Sequence, residues 1–287
     1  MKLFRSILPF LLLSFVVQAQ APIKDGAILA AFSVSDSTKV YFSQGNLQYQ
    51  ASSKTWRFAE HQWDFVGDSI NGNVYEKGVK SDNAKISSSY DGWIDLFGWG
   101  TSGYNSKNPY MTSTDYFDYG DGYNDIAGTN YDWGVYNKIS NGGNQAGQWR
   151  TLTFSEWNYV ISKRTDARYL RGTATVNGVN GLILLPDNRT LPTGVVFTYG
   201  EDGWQNTYSA SDWSKMEANG AVFLPAAGGR YGTDVGGVGS YGYYWSSSTD
   251  DYYGAYCLYF YGYYVNTYYG GNRYDGHSVR LVQDVKK

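Results

Sequence analysis

The chain has a single cysteine, Cys257, among 287 residues. No internal disulfide can therefore staple it, and its stability must rest on a buried core, which its length permits. Histidine is nearly as scarce, with only His61 and His277, so Cys257 has few candidates for the base that a nucleophilic thiol needs. No basic cluster exists. Lys and Arg number 23 against 26 Asp and Glu, a formal charge of −3, which excludes the electropositive footprint of a nucleic-acid binder. No segment beyond the N-terminus is long and apolar enough to be read as a transmembrane helix. GxSxG, HExxH and phosphate-cradling glycine loops are absent too, so the familiar hydrolase, metalloprotease and nucleotide signatures are missing.

What the chain does contain begins at residue 1. Met1-Lys2-Leu3-Phe4-Arg5 is basic, Ile7 to Val17 is almost wholly apolar, and Val17-Gln18-Ala19 places small residues at a peptidase spacing. Residues 1–19 read as a secretory signal peptide, and no Cys follows to carry a lipid anchor. Removal of Lys2 and Arg5 would make the remainder more acidic. The expected location is outside a bacterial cytoplasm: periplasm, cell surface or medium. The composition is aromatic and glycine-rich, with 29 Tyr, 10 Trp and 35 Gly. Disordered chains are poor in aromatics, so this one folds.

Residues 20–70 read as an N-terminal β extension. Val40-Tyr41-Phe42-Ser43, Leu47-Gln48-Tyr49-Gln50 and Trp56-Arg57-Phe58-Ala59 are short runs punctuated by Gly and Asn. From 67 to 148 the periodicity is lost among Gly, Asn, Asp and aromatics, which predicts packed loops pinned by Trp and Tyr. Two helices are signalled. Thr153-Phe154-Ser155-Glu156 is a capping box, and Ser209-Ala210-Ser211-Asp212 opens the second helix, which stops at Asn219-Gly220. Apolar strands are expected at Gly181–Pro186 and Ala221–Pro225. Three more are expected at Tyr244–Ser248, Ala255–Phe260 and Ser278–Val282. The mixture predicts an α+β fold with two helices.

Trp149-Arg150-Thr151-Leu152-Thr153 running into Glu156-Trp157 resembles a helix start in the formylglycine-generating-enzyme branch of the C-type-lectin-like fold. Phe223-Leu224-Pro225-Ala226-Ala227-Gly228-Gly229-Arg230, Tyr244-Trp245-Ser246-Ser247 and Ser278-Val279-Arg280-Leu281-Val282 are similar to later landmarks of that branch, in the same order. The same segments resemble bacterial paralogous surface proteins and the variable proteins diversified by retroelements. The resemblance implies a C-type-lectin-like domain over 71–287, with a variable ligand-binding segment at 241–277 that closes on Ser278–Leu281. Formylglycine-generating enzymes carry catalytic cysteines, whereas this chain has Cys257 alone, in an alternating strand where a small buried thiol is the ordinary reading. The expectation is a non-enzymatic protein.

Tyrosine crowds that segment. Tyr241, Tyr243, Tyr244, Tyr252, Tyr253, Tyr256, Tyr259, Tyr261, Tyr263, Tyr264, Tyr268, Tyr269 and Tyr274 all fall within it. Strand alternation puts Tyr259 and Tyr261 on one face, with Leu258 and Phe260 toward the core. Tyr offers stiff contact area and a polar tip, the combination used in recognition surfaces. The alternative is that the rings only pack on one another. The expected ligand-binding residues are Tyr243, Tyr252, Tyr253, Tyr259, Tyr261, Tyr263, Tyr264, Asn266, Tyr268, Tyr269, Asn272, Tyr274, Asp275 and His277, with a protein or glycan as ligand. Self-association through the same aromatic face is the second reading. Arg280 is expected to pair with a carboxylate near the core. Asp118, Asp121 and Asp125 lie in an oxygen-rich stretch that could hold a structural calcium, but Asp and Asn are also ordinary turn residues. No cofactor is otherwise implied.

Overall fold

The computed structural model describes residues 23–66, 86–251 and 253–286. The expected signal peptide and Tyr252 lie outside them. The chain opens with a small hairpin of β1 (Ile23–Lys24) and β2 (Ala27–Ile28), followed by β3 (Phe32–Ser33), β4 (Lys39–Phe42), β5 (Leu47–Gln50), β6 (Thr55–Phe58) and β7 (Trp93–Ile94). In β6 the alternation is plain in burial: Trp56 and Phe58 face the core while Thr55 and Arg57 do not. A one-turn helix, α1 (Trp133–Tyr136), is capped by Asp132, whose carboxylate accepts from the Gly134 N–H at 3.1 Å. Then follow β8 (Arg150–Thr151) and α2 (Phe154–Asn158). The capping box forms, since Glu156 N–H donates to Thr153 Oγ1 and Thr153 N–H donates back to Glu156.

The second half is strand-dominated. β9 (Arg171–Val176) and β10 (Val179–Leu184) are joined by Asn177-Gly178, both at positive φ, the pair that matches the twist of a two-residue hairpin. β11 (Asn206–Tyr208), α3 (Ala210–Ala218), β12 (Val222–Pro225), β13 (Gly229–Tyr231) and β14 (Asp234–Gly236) lead into the longest strands, β15 (Gly242–Thr249), β16 (Gly254–Tyr261) and β17 (Tyr264–Asn272). β18 (Leu281–Asp284) ends the series.

Pairing is mostly antiparallel, in several small sheets: β3-β4-β18-β8, β6-β5-β7, β11-β9-β10-β12 and β15-β16-β17. Among the described residues strand exceeds helix, 35% against 14%, and there are three α-helices. The expectation of a two-helix α+β fold is therefore wrong; the protein is mainly β. A helix cap marks where a helix begins, not how far it runs. α2 holds α geometry for five residues before passing into a π-turn over Tyr159–Lys163. α1 is too short to leave any periodicity in the sequence.

The sheets bury their apolar faces in several clusters. Trp56, Phe97, Trp99, Trp133, Trp149 and Trp245 form one cluster, and Trp157, Leu182, Val222, Leu224, Leu258 and Phe260 form another. A third surrounds Trp213 and Met216 of α3 with Ile183 and Phe223. Aromatic loops are pinned by donor groups: Trp99 Nε1 reaches the Ser246 carbonyl at 2.8 Å, and Trp149 Nε1 reaches that of Gly142 at 2.8 Å. Arg280 is fully buried, but its expected carboxylate partner is not found. Among the described residues its guanidinium donates to Gln62 Oε1 at 2.7 Å, Asn46 Oδ1 at 3.3 Å and the Phe223 carbonyl at 3.4 Å. Several neutral oxygens spread over three segments spare the fold from burying a second charge.

Candidate ligand-binding face

The site is built from the β15-β16-β17 sheet. On β16, Leu258 and Phe260 are fully buried toward α2, while Tyr259 and Tyr261 stand half-buried on the other side. Cross-strand register brings their partners alongside: Tyr243 opposite Tyr259, and Tyr264 opposite Tyr261. A register shift between Cys257 and Tyr259 sets Tyr269 opposite Cys257. Bulges re-aim side chains in this way, and here the bulge brings Tyr269 over Tyr259.

The rings form one continuous surface. Ring centroids of Tyr259 lie 5.0 Å from Tyr243, 4.7 Å from Tyr269, 6.0 Å from Tyr241 and 6.2 Å from Tyr264, and Tyr261 lies 5.8 Å from Tyr264. These separations fall in the favourable range for aromatic pairs. Tyr241 is 39% exposed, Tyr264 44% and Tyr269 38%. Solvent-facing phenols are thus held by half-buried neighbours. Burial, followed by the surrounding phenols, pushes the Tyr259 hydroxyl up to about 12 and that of Tyr243 higher still. These two hydroxyls stay protonated at neutral pH and can both donate and accept hydrogen bonds.

At one end the row dives into the core. Tyr243 stacks on His277 at 4.7 Å and 14°, and His277 lies 4.2 Å from Trp245. Trp245 Nε1 in turn donates to the Phe97 carbonyl at 2.7 Å. His277 is only 4% exposed, and burial, then the nearby Arg230 charge, lower its pKa to about 3. The expectation that His277 touches ligand is therefore corrected: it is a neutral buttress beneath Tyr243, placed there by the antiparallel bridge between Phe97 and His277.

The remaining expected residues disperse. Tyr268 points to the opposite, helix side, where it meets Phe154 at 4.9 Å and accepts from Asn158 Nδ2 at 3.3 Å. Tyr253 sits near the β15–β16 turn, edge-on to Tyr116 at 4.5 Å. Tyr263 is exposed at the β16–β17 turn, beside Gly203. Asn266 accepts from the Tyr268 N–H at 2.8 Å, which shapes the bulged strand. Asn272, Tyr274 and Asp275 form a rim: Asn272 N–H donates to Asp275 Oδ2 at 3.0 Å, and Tyr274 packs on Tyr231 at 5.5 Å. Tyr241 was not among the expected contacts, although two-residue periodicity back from Tyr243 was signal enough to include it.

Asp118, Asp121 and Asp125 do not converge. Asp125 Oδ1 accepts from the Thr249 N–H at 2.8 Å, and Asp121 lies in a bridged turn with Asn124. Among the described residues no group of three His, Cys, Asp or Glu could hold a metal ion. Cys257 is buried, and burial pushes its thiol well above the ordinary range, so it has neither the thiolate nor the access of a nucleophile. No helix among the described residues is long and apolar enough to cross a membrane. No protein-family model, no curated protein and no solved structure matches this chain.

Proposed function

We propose that this is an exported, non-enzymatic recognition protein that binds a protein or glycan through the tyrosine face of β15, β16 and β17. One observation carries the reading: a contiguous row of phenols, exposed at Tyr241, Tyr264 and Tyr269, is mounted on a sheet whose other side is packed into the core. Stiff rings with two rotatable bonds lose little entropy on contact, and a rigid support lowers the cost of ordering them. The basic and apolar N-terminal segment supports export, and the likeness to retroelement-diversified variable proteins points toward recognition at a cell surface.

The test is a glycan-array and cell-surface binding screen. It compares the wild type with a variant carrying Ser at Tyr241, Tyr259, Tyr261, Tyr264 and Tyr269. Binding by the wild type with at least a tenfold loss in the variant is the expected result. Equal binding by the two would refute the site. Sedimentation of the wild type alone addresses the second reading: concentration-dependent assembly that the Ser variant abolishes would mark the face as a self-association surface.

A further inference from the structure

Tyrosine surfaces serve many ligands, so the charge around this one decides what it can hold. Between residues 231 and 285 the chain has no lysine, and its only arginines are Arg273 and Arg280. Both are buried, as is Arg230 just before them. Arg273 lies over the Trp99 ring at 4.7 Å and donates to the Gly254 carbonyl at 3.2 Å and Thr249 Oγ1 at 2.7 Å. Arg230 gives its donors to the carbonyls of Leu96 and Gly232. The positive charge of this region is thus interior and turned toward backbone carbonyls and neutral side-chain oxygens. The negative charge is outside: Asp234, Asp250 and Asp251 are exposed and Asp275 is half-buried.

Asp275 is the informative one. Both Asn272 donors meet its Oδ2, at 3.0 and 3.5 Å, while Oδ1 accepts no hydrogen bond and the carboxylate makes no ion pair among the described residues. It lies at the rim of the tyrosine face, near enough that burial, Cys257 and then this carboxylate together push the Tyr269 phenol up. Burial also pushes the Asp275 carboxyl itself up to about 6, despite the opposing Arg230 charge. A half-buried carboxylate that makes no direct ion pair, and feels only the buried Arg230 charge, is relieved further by a cation that arrives beside it. The ring faces next to it are electron-rich and attract the same charge.

On the reading that this face is a recognition surface, we propose that its partner is a basic protein segment, whose Lys or Arg side chains lie on the tyrosine rings and pair with Asp275 and Asp234 at the rim. Tyr231, paired with Asp234 across the β13–β14 hairpin, packs on Tyr274 and so joins the second carboxylate to the first. Lys and Arg supply both an apolar stem for the rings and a charged head for the rim.

The test titrates the protein with three Gly-Ser-spaced peptides of equal length that carry Lys and Arg, Gln, or Glu, at 50 mM and 500 mM NaCl. Tighter binding of the basic peptide than of the Gln peptide by about tenfold at low salt is expected, with weakening at high salt. Asp275→Asn together with Asp234→Asn should weaken it about fivefold while the circular dichroism spectrum stays that of the wild type. The five-Tyr-to-Ser variant, which keeps the net charge, should abolish the preference. Equal binding of the three peptides, or undiminished basic-peptide binding by the Ser variant, overturns the proposal. A neutral ligand emerging from the glycan and cell-surface screen, bound by the wild type and lost in the Ser variant, would sink this inference and leave the tyrosine face standing. Loss of nothing in either experiment would sink both.

Discussion

Asp132 and His277 show how single buried groups set the response to pH. Asp132 is fully buried, accepts from the Thr151 N–H at 2.9 Å, the Thr151 hydroxyl at 2.9 Å and the Gly134 N–H, and is pushed up to about 6 by burial. The folded state therefore holds a proton on it between about pH 4 and 6 that the unfolded chain has released, so this group alone makes stability fall as pH rises through that window. Asp275 acts in the same direction, more weakly because it is partly solvated. His277 acts oppositely: below its ordinary value near 6.5 the unfolded chain takes up a proton that the fold refuses until about pH 3, so stability falls on acidification. Asp132→Asn removes one side of this balance. Urea unfolding at pH 6 and pH 4 should show the variant losing about 2 kcal/mol more than the wild type on acidification. An unchanged pH dependence would refute the assignment. At this scale the outward rings were legible, because Leu258 and Phe260 alternate with Tyr259 and Tyr261. The burial of His277 was not, since the backbone bridge that holds it between Tyr243 and Trp245 comes from Phe97, far away in sequence.

The helix α2 clamps the recognition sheet from behind, and its start is the clamp's weak point. Arg150 bridges Glu156 at 2.8 Å and Asp284 at 2.7 Å, tying the capping box to the final strand. Thr153→Ala removes the cap that satisfies the Glu156 N–H and should cost about 1 kcal/mol in chemical denaturation, with no loss of secondary structure at room temperature. Gly242→Ala should be more severe, because a Cβ there runs into the Phe260 ring. A cost of about 1–3 kcal/mol follows from overpacking a filled core, and a variant as stable as the wild type would mean the sheet is looser than described. The starts of α2 and α3 could be read from sequence because their caps, Thr153 with Glu156 and Ser209 with Asp212, are local chemistry, complete within four residues. Strand β17 could not, since Tyr, Asn and Gly carry no apolar alternation and its register depends on a bulge against β16.

Across the whole molecule, the last strand is locked to an early one and a central one. β18 lies between β4 and β8, with Val282 opposite Phe42 on one side and Arg150 on the other. No local pattern announces that pairing, because both partner strands lie far from β18 in sequence. Removal of residues 281–287 should therefore abolish cooperative unfolding rather than trim a tail, and thermal scans followed by tryptophan fluorescence should lose their sigmoid. Cys257 offers a finer reading of the same cohesion. As the chain's lone sulfhydryl, sealed under the aromatic row, it reacts with an alkylating reagent only while the covering sheet is transiently open. Its labelling rate in native buffer thus clocks such openings. If a bound partner slows the clock without altering the denaturant midpoint of the free protein, the sheet breathes as an independent unit and recognition closes it.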